Sequence, residues 1–191
     1  MYLINEHYIN LLGNDHRKDF YAHEAHKMLT NAYATIGGLK GSGFSSPDDM
    51  KSIHQWKLKK RDGKIIAGVF YKNPGSRKLV AAATDGSPEG KEALSHTMAA
   101  EFKKRRSFME VSGPLFSSLH KTLGHDELSK HLVHRDHVHK FLDDEIHPPN
   151  NSDIMVKKFP QYKDHFYSRK LGDDMHTKIL LGHKVPYFSK V

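Results

Sequence analysis

The spacing of apolar residues changes several times along this chain, and each change marks an element. Tyr8, Ile9, Leu11 and Leu12 form a short apolar stretch closed by Gly13-Asn14-Asp15, a pattern that fits helix or strand. From Lys18 to Ile36 the period is helical, with Tyr21, Ala25, Met28, Leu29, Ala32 and Ile36 on one face and Gly37-Gly38 as the stop. Leu39 to Met50 is rich in small residues and reads as a loop, within which Ser46-Pro47-Asp48 can start a short helix. Alternation then takes over in Ile53–Lys59. Asp62-Gly63 is a two-residue turn signal and Ile65–Tyr71 is the return strand, so a hairpin is expected. Asn73-Pro74-Gly75-Ser76 turns the chain into the apolar run Leu79-Val80-Ala81-Ala82-Ala83.

The stretch Leu79–Leu94 organises the rest. A buried strand passes through Asp85 and Gly86 into a helix whose Leu94, Met98 and Phe102 are four apart. Lys103 to Arg106 is a basic run suited to a helix C-terminus, and Ser107–Ser112 is the next strand. Gly113-Pro114 opens a further helix with Leu115, Phe116, Leu119 and Leu123 inward and Gly124 at its end. A strand–helix–strand crossover of this length predicts that residues 79–84 and 107–112 are parallel neighbours. Asp126–Leu142 reads as another helix, with Leu128, Leu132, Val138 and Leu142 inward. Its His131, His134, His137 and His139 spread around the axis and do not converge on one metal, so no metal site is expected. Residues 165–170 and 176–181 read as a terminal hairpin across Leu171-Gly172-Asp173-Asp174. The expected fold is a single α/β domain over residues 1–191, with a mixed, mostly antiparallel sheet and flanking helices.

Composition narrows the chemistry. The chain has 191 residues and no cysteine, which excludes disulfides, thiolate–metal sites and a cysteine nucleophile. No apolar run approaches the ~20 residues of a membrane helix, and a soluble cytoplasmic protein is the expectation. Lysine and arginine number 30 against 22 acidic residues, a formal charge of +8 that favours anionic partners. A strand–loop–helix junction aims unpaired amides and a positive helix end at one spot, so residues 85–91 are expected to hold phosphate. Gly86 and Gly90 enclose three residues and Glu92 follows Lys91, so this is not a nucleoside-triphosphate loop.

The order of elements, with strand Leu79–Thr84, loop Asp85–Lys91 and its helix, resembles the GNAT family of acyl-CoA-dependent N-acyltransferases. The strand Ser107–Ser112, the helix ending Leu119-His120-Lys121-Thr122-Leu123-Gly124 and the terminal hairpin (about 160–185) are similar to later elements of that family. The His-rich segment, about 125–150, stands as an insertion. The resemblance covers roughly residues 18–124 and 160–185. It implies an acetyl or other acyl group carried from acyl-CoA to an amine acceptor. Pantetheine would bind at the backbone of Ala81, Ala82 and Ala83. The pyrophosphate would lie at Asp85, Gly86, Ser87, Gly90 and Lys91, with Ser118 nearby. Two positions depart from the family pattern: Asp85 stands where a basic residue opens the loop, and no tyrosine lies between Pro114 and Gly124. Acyl transfer to an amine needs a base and an acid for the thiolate. Glu110 is the first candidate base, Asp85 the second, and His120 or Ser118 the candidate acid.

Two other functions fit the same sequence. The basic runs Lys57–Arg61 and Lys103–Arg106 suit a nucleic-acid-binding or nucleic-acid-modifying protein. A GNAT-like scaffold that binds protein without chemistry is the third.

Overall fold

The computed structural model describes residues 6–34 and 45–183. Among the described residues the strands form two antiparallel four-stranded sheets. The first runs β1 (Glu6–Leu12), β2 (Gln55–Arg61), β3 (Lys64–Tyr71) and β4 (Leu79–Thr84), in sequence order. The second has the order β5 (Phe108–Ser112), β8 (Asp174–Gly182), β7 (Phe166–Leu171) and β6 (Ile146–His147). Both expected hairpins form, turning at Asp62-Gly63 and Gly172-Asp173, and the ambiguous first stretch is a strand.

Helices cover both faces of the first sheet. Helix α1 (Arg17–Tyr33) lies on one face, where Ala22, Ala25 and Leu29 meet Trp56, Leu58, Phe70, Ala81 and Ala83. Helix α3 (Pro88–Arg105) lies on the other, with Leu94, Met98 and Phe102 packed against Val69, Tyr71 and Leu79. This explains why β3 is apolar almost throughout: a strand covered on both faces has no solvent side to alternate toward. The short helix α2 (Pro47–Lys51) starts as expected at Ser46, whose hydroxyl accepts from the Asp49 amide while the Asp49 carboxylate accepts from the Ser46 amide. The expected stop of α1 at Gly37-Gly38 and the first half of the 39–50 loop lie outside the described residues.

Two expectations are corrected. Strands β4 and β5 are not paired along their length. They are joined only at their beginnings, by a parallel bridge between Lys78 and Phe108 with Phe108 N–H donating to Arg77 O at 2.9 Å, and then part into separate sheets. β5 pairs instead with β8, and at Ala82 the outward backbone groups of β4 are met by the hydroxyl of Tyr33 rather than by a strand.

The second correction concerns residues 126–142, which are not one helix. Helix α5 covers only His125–Ser129, residues 131–133 bond along the end of β8, and a 3-10 turn covers Arg135–Lys140. The cause lies in the core. Leu128 and Leu132 pack with helix α4 (Gly113–Leu123) on one side of the second sheet, whereas Val133, Val138 and Leu142 pack with Tyr167 and Leu180 on the other. A chain that feeds both faces must cross the sheet edge, and a continuous helix does not. Among the described residues no helix is long and apolar enough to cross a membrane.

Candidate functional site

Where β4 and β5 part, a cleft of about 690 Å³ opens between the β4 edge and α4. Ala82, Ala83, Thr84, Asp85 and Gly86 form one wall, Lys91 and Leu94 of α3 contribute beside them, and α4 supplies Leu115, Ser118, Lys121 and Thr122. Tyr33 closes the α1 side. The remaining wall is α6 (Ile154–Lys158), through Ile154, Met155 and Lys158. Asp153 fixes α6, accepting from the Met155 amide at 2.8 Å and from the Thr177 hydroxyl of β8 at 2.8 Å. Lys158 Nζ donates to Ser117 Oγ of α4 at 2.9 Å. The charged lining residues are three lysines, Lys91, Lys121 and Lys158, and one carboxylate, Asp85. Such a surface attracts an anion.

The loop before α3 is closely packed. Gly86 has φ +88°, the left-handed region that glycine adopts without strain. Gly90 has no room for a side chain, because a Cβ there would lie 2.3 Å from Asp85 Oδ1 and 2.6 Å from the Ile66 carbonyl oxygen. The expected amide cradle for phosphate is not open. Gly86 N–H donates to Thr84 Oγ1 at 3.3 Å, Ser87 N–H to Asp85 Oδ1 at 3.0 Å and Gly90 N–H to Ser87 Oγ at 3.0 Å. Lys91 N–H donates to Ser87 O at 2.9 Å, and Pro88 has no N–H. The positive end of α3 is thus met largely by its own loop, and the attraction for an anion comes chiefly from the lysine side chains.

Of the residues singled out in the sequence, Ala82, Ala83, Asp85, Gly86, Lys91 and Ser118 line the cleft. Ala81 faces the α1 side of the core, Ser87 caps α3, and Gly90 is packed beneath the loop. Glu110 and His120 are not in its lining, so the structure does not bring the candidate base and the candidate acid to this cleft. Glu110 lies on the opposite face of the second sheet. There its buried carboxylate accepts from Arg169 Nη1 at 2.6 Å, Tyr167 OH at 2.9 Å and Lys78 Nζ at 3.3 Å. Burial pushes its pKa up, but the Arg169 hydrogen bond, the Lys78 charge and the Tyr167 hydroxyl outweigh this and hold it below the ordinary glutamate value. A carboxylate so held is a poor base for an amine.

His120 sits among the rings of Phe116, Phe159, Tyr162 and His125, with Nε2 buried and without a hydrogen-bond partner among the described residues. Burial, then the charges of His125 and Lys158, lower its pKa. The reason for its position is helical spacing: one turn after Phe116, it follows that residue into the aromatic cluster rather than toward Ser118 and Lys121.

The sequence reading passed over the α6 wall, Ile154, Met155 and Lys158, for which a five-residue helix leaves no periodic signal, and it also passed over Tyr33. Tyr33 follows Leu29 by four positions, and that spacing puts it on the buried face of α1. Its hydroxyl donates to Ala82 O at 3.1 Å and accepts from Ala82 N–H at 3.3 Å.

The basic run Lys57–Arg61 is engaged within the protein. Lys57 pairs with the buried Glu101, Lys59 lies over the Tyr8 ring, Lys60 donates to Tyr21 OH at 3.1 Å, and Arg61 pairs with Glu89 at 3.2 Å. Among the described residues no group of three or more histidine, aspartate or glutamate side chains is placed to hold a metal ion. No protein-family model matches the sequence, and no curated protein matches it.

Proposed function

We propose that this chain binds an acyl-CoA thioester in the cleft between β4 and α4 and transfers its acyl group to an amine, on a GNAT-like fold. The observation that carries this reading is the parting of β4 from β5 after the Lys78–Phe108 bridge, which turns the β4 edge at Ala82–Thr84 into the wall of a cleft. An extended ligand bearing amides pairs with such an edge through main-chain hydrogen bonds. Small alanine side chains put little bulk at that edge, and Lys91, Lys121 and Lys158 favour the phosphates. In the reaction the amine nitrogen attacks the thioester carbonyl carbon, the carbon–sulfur bond breaks, the nitrogen gives up a proton, and coenzyme A leaves as a thiolate that takes a proton from water. Asp85, exposed in the cleft, is the carboxylate available for the proton, and an edge N–H of β4 would stabilise the developing oxyanion. The reading implies a cytoplasmic protein supplied with acetyl-CoA or another acyl-CoA. Nucleic acid gains no support from Lys57–Arg61, whose side chains are already engaged.

Calorimetric titration with acetyl-CoA tests the reading. Saturable binding is expected, weakened about tenfold by Lys121→Glu, since a lost charge-assisted contact removes on the order of 1.5 kcal/mol. Absence of heat and of any thermal shift at millimolar acetyl-CoA overturns it.

A further inference from the structure

We propose that Tyr33 is a built-in occupant of the cleft: its phenol holds the outward N–H and C=O of Ala82 in the free protein and yields them to the pantetheine arm of the ligand. The inference rests on the acyl-CoA reading and adds to it a competitor carried by the chain itself. An outer strand presents the N–H and C=O of alternate residues to whatever lies beyond it. On β4 the Ala82 pair points away from β3 and into the cleft, and the Tyr33 hydroxyl satisfies both halves of it, donating at 3.1 Å and accepting at 3.3 Å. A phenol bonded in this way presents to Ala82 one donor and one acceptor, the pattern a strand-like amide presents. The pantetheine arm carries two amides and would need the same two groups.

Two further observations support the assignment. Tyr33 and Ala82 line the same cleft, so ligand and phenol cannot both hold the Ala82 edge. Burial raises the Tyr33 pKa to about 12, the Ala82 N–H donated to its oxygen only partly offsetting this, so the hydroxyl remains a donor throughout the neutral range. Without such an occupant the free protein would keep a buried N–H and C=O unpaired, a costly state. Tyr33 removes that cost in the free protein and thereby raises the concentration of ligand needed to enter.

The test compares wild type with Tyr33→Phe, which keeps the ring and removes the hydroxyl. Acetyl-CoA affinity is measured by calorimetry and Tyr33 accessibility by nitration with tetranitromethane, read by mass spectrometry. The expected result is that Tyr33→Phe binds acetyl-CoA roughly 3- to 10-fold more tightly, the gain from no longer breaking a net-stabilising hydrogen bond. In wild type, nitration of Tyr33 should be slow in the free protein and faster with acetyl-CoA bound. Equal or weaker binding by Tyr33→Phe overturns the inference while leaving the acyl-CoA reading in place. If the variant does not fold, the wild-type nitration decides: a rate unchanged or lowered by acetyl-CoA overturns the inference. If neither protein binds acetyl-CoA, the acyl-CoA reading falls and this inference falls with it.

Discussion

Arg169 Nη1 lies 2.6 Å from Glu110 Oε1, and the carboxylate that receives it is almost wholly buried. The same guanidinium reaches Asp144 Oδ2 at 2.6 Å through Nη2, while Lys78 approaches Glu110 from the start of β4. One carboxylate therefore ties β5 to β7 and to the first sheet close to where β4 and β5 part. A buried ion pair of this kind is weak evidence for net stability, but removing one partner leaves the others uncompensated. None of Glu110, Arg169 and Lys78 lines the cleft.

Replacing Glu110 with Gln should accordingly act on stability before it acts on any reaction. A loss of about 3–5 kcal/mol is expected at neutral pH, as for other broken buried pairs. The folded-state pKa of Glu110 is lowered, so its contribution is complete above the ordinary value of 4.5 and is lost as pH falls through the lowered folded value. The gap between wild type and variant should thus be constant near pH 7 and shrink below pH 4.5. Urea unfolding at several pH values measures it. A variant as stable as wild type at neutral pH would remove Glu110 from this role.

Gly90 sets a limit on how the loop before α3 can be altered. A glycine in a helix ordinarily gains about 1 kcal/mol on replacement by alanine. Here the new Cβ would lie 2.4 Å from Thr84 Oγ1 and 2.6 Å from the Ile66 main-chain oxygen, which cannot rotate away. Gly90→Ala is therefore expected to destabilise by roughly 1–3 kcal/mol, as overpacking does, and Gly90→Glu by more. Charge substitution at Gly90 is for that reason unsuitable as a probe of binding. A raised urea midpoint for Gly90→Ala would show that the loop relaxes.

Elements with one uninterrupted period were legible in the sequence: the hairpin of β2 and β3, the run β4–α3–β5–α4, and the closing hairpin all lie where periodicity put them. Residues 126–142 were not, because their apolar positions serve two faces of the second sheet and only mimic a helix. The parting of β4 and β5 was also hidden. It depends on Tyr33 and on β8, far from both strands in sequence, so no local pattern records it. Half of the candidate site came through because a strand–loop–helix junction is local. Glu110 and His120 were misplaced because alternation and helical spacing give a face without saying which face borders the cleft.

The aromatic cluster around His120 predicts a pH dependence that is structural. Its pKa is lowered, so the folded protein resists protonation more than the unfolded chain does. The sign follows from linkage: stability is complete above the ordinary histidine value of 6.5 and falls as pH drops below it, until the folded protein is protonated as well. His137, lowered by burial and by the charges of Lys140 and His134, acts in the same direction. His120→Phe keeps a ring against Phe116, Phe159 and Tyr162 while removing the buried Nε2. The variant should match wild type at about pH 7.5 and exceed it by a few degrees in melting temperature at about pH 5.5. The remaining acid sensitivity should diminish further on replacing His137. If His120→Phe and wild type lose the same stability between those two pH values, protonation of His120 is not what limits the fold in acid.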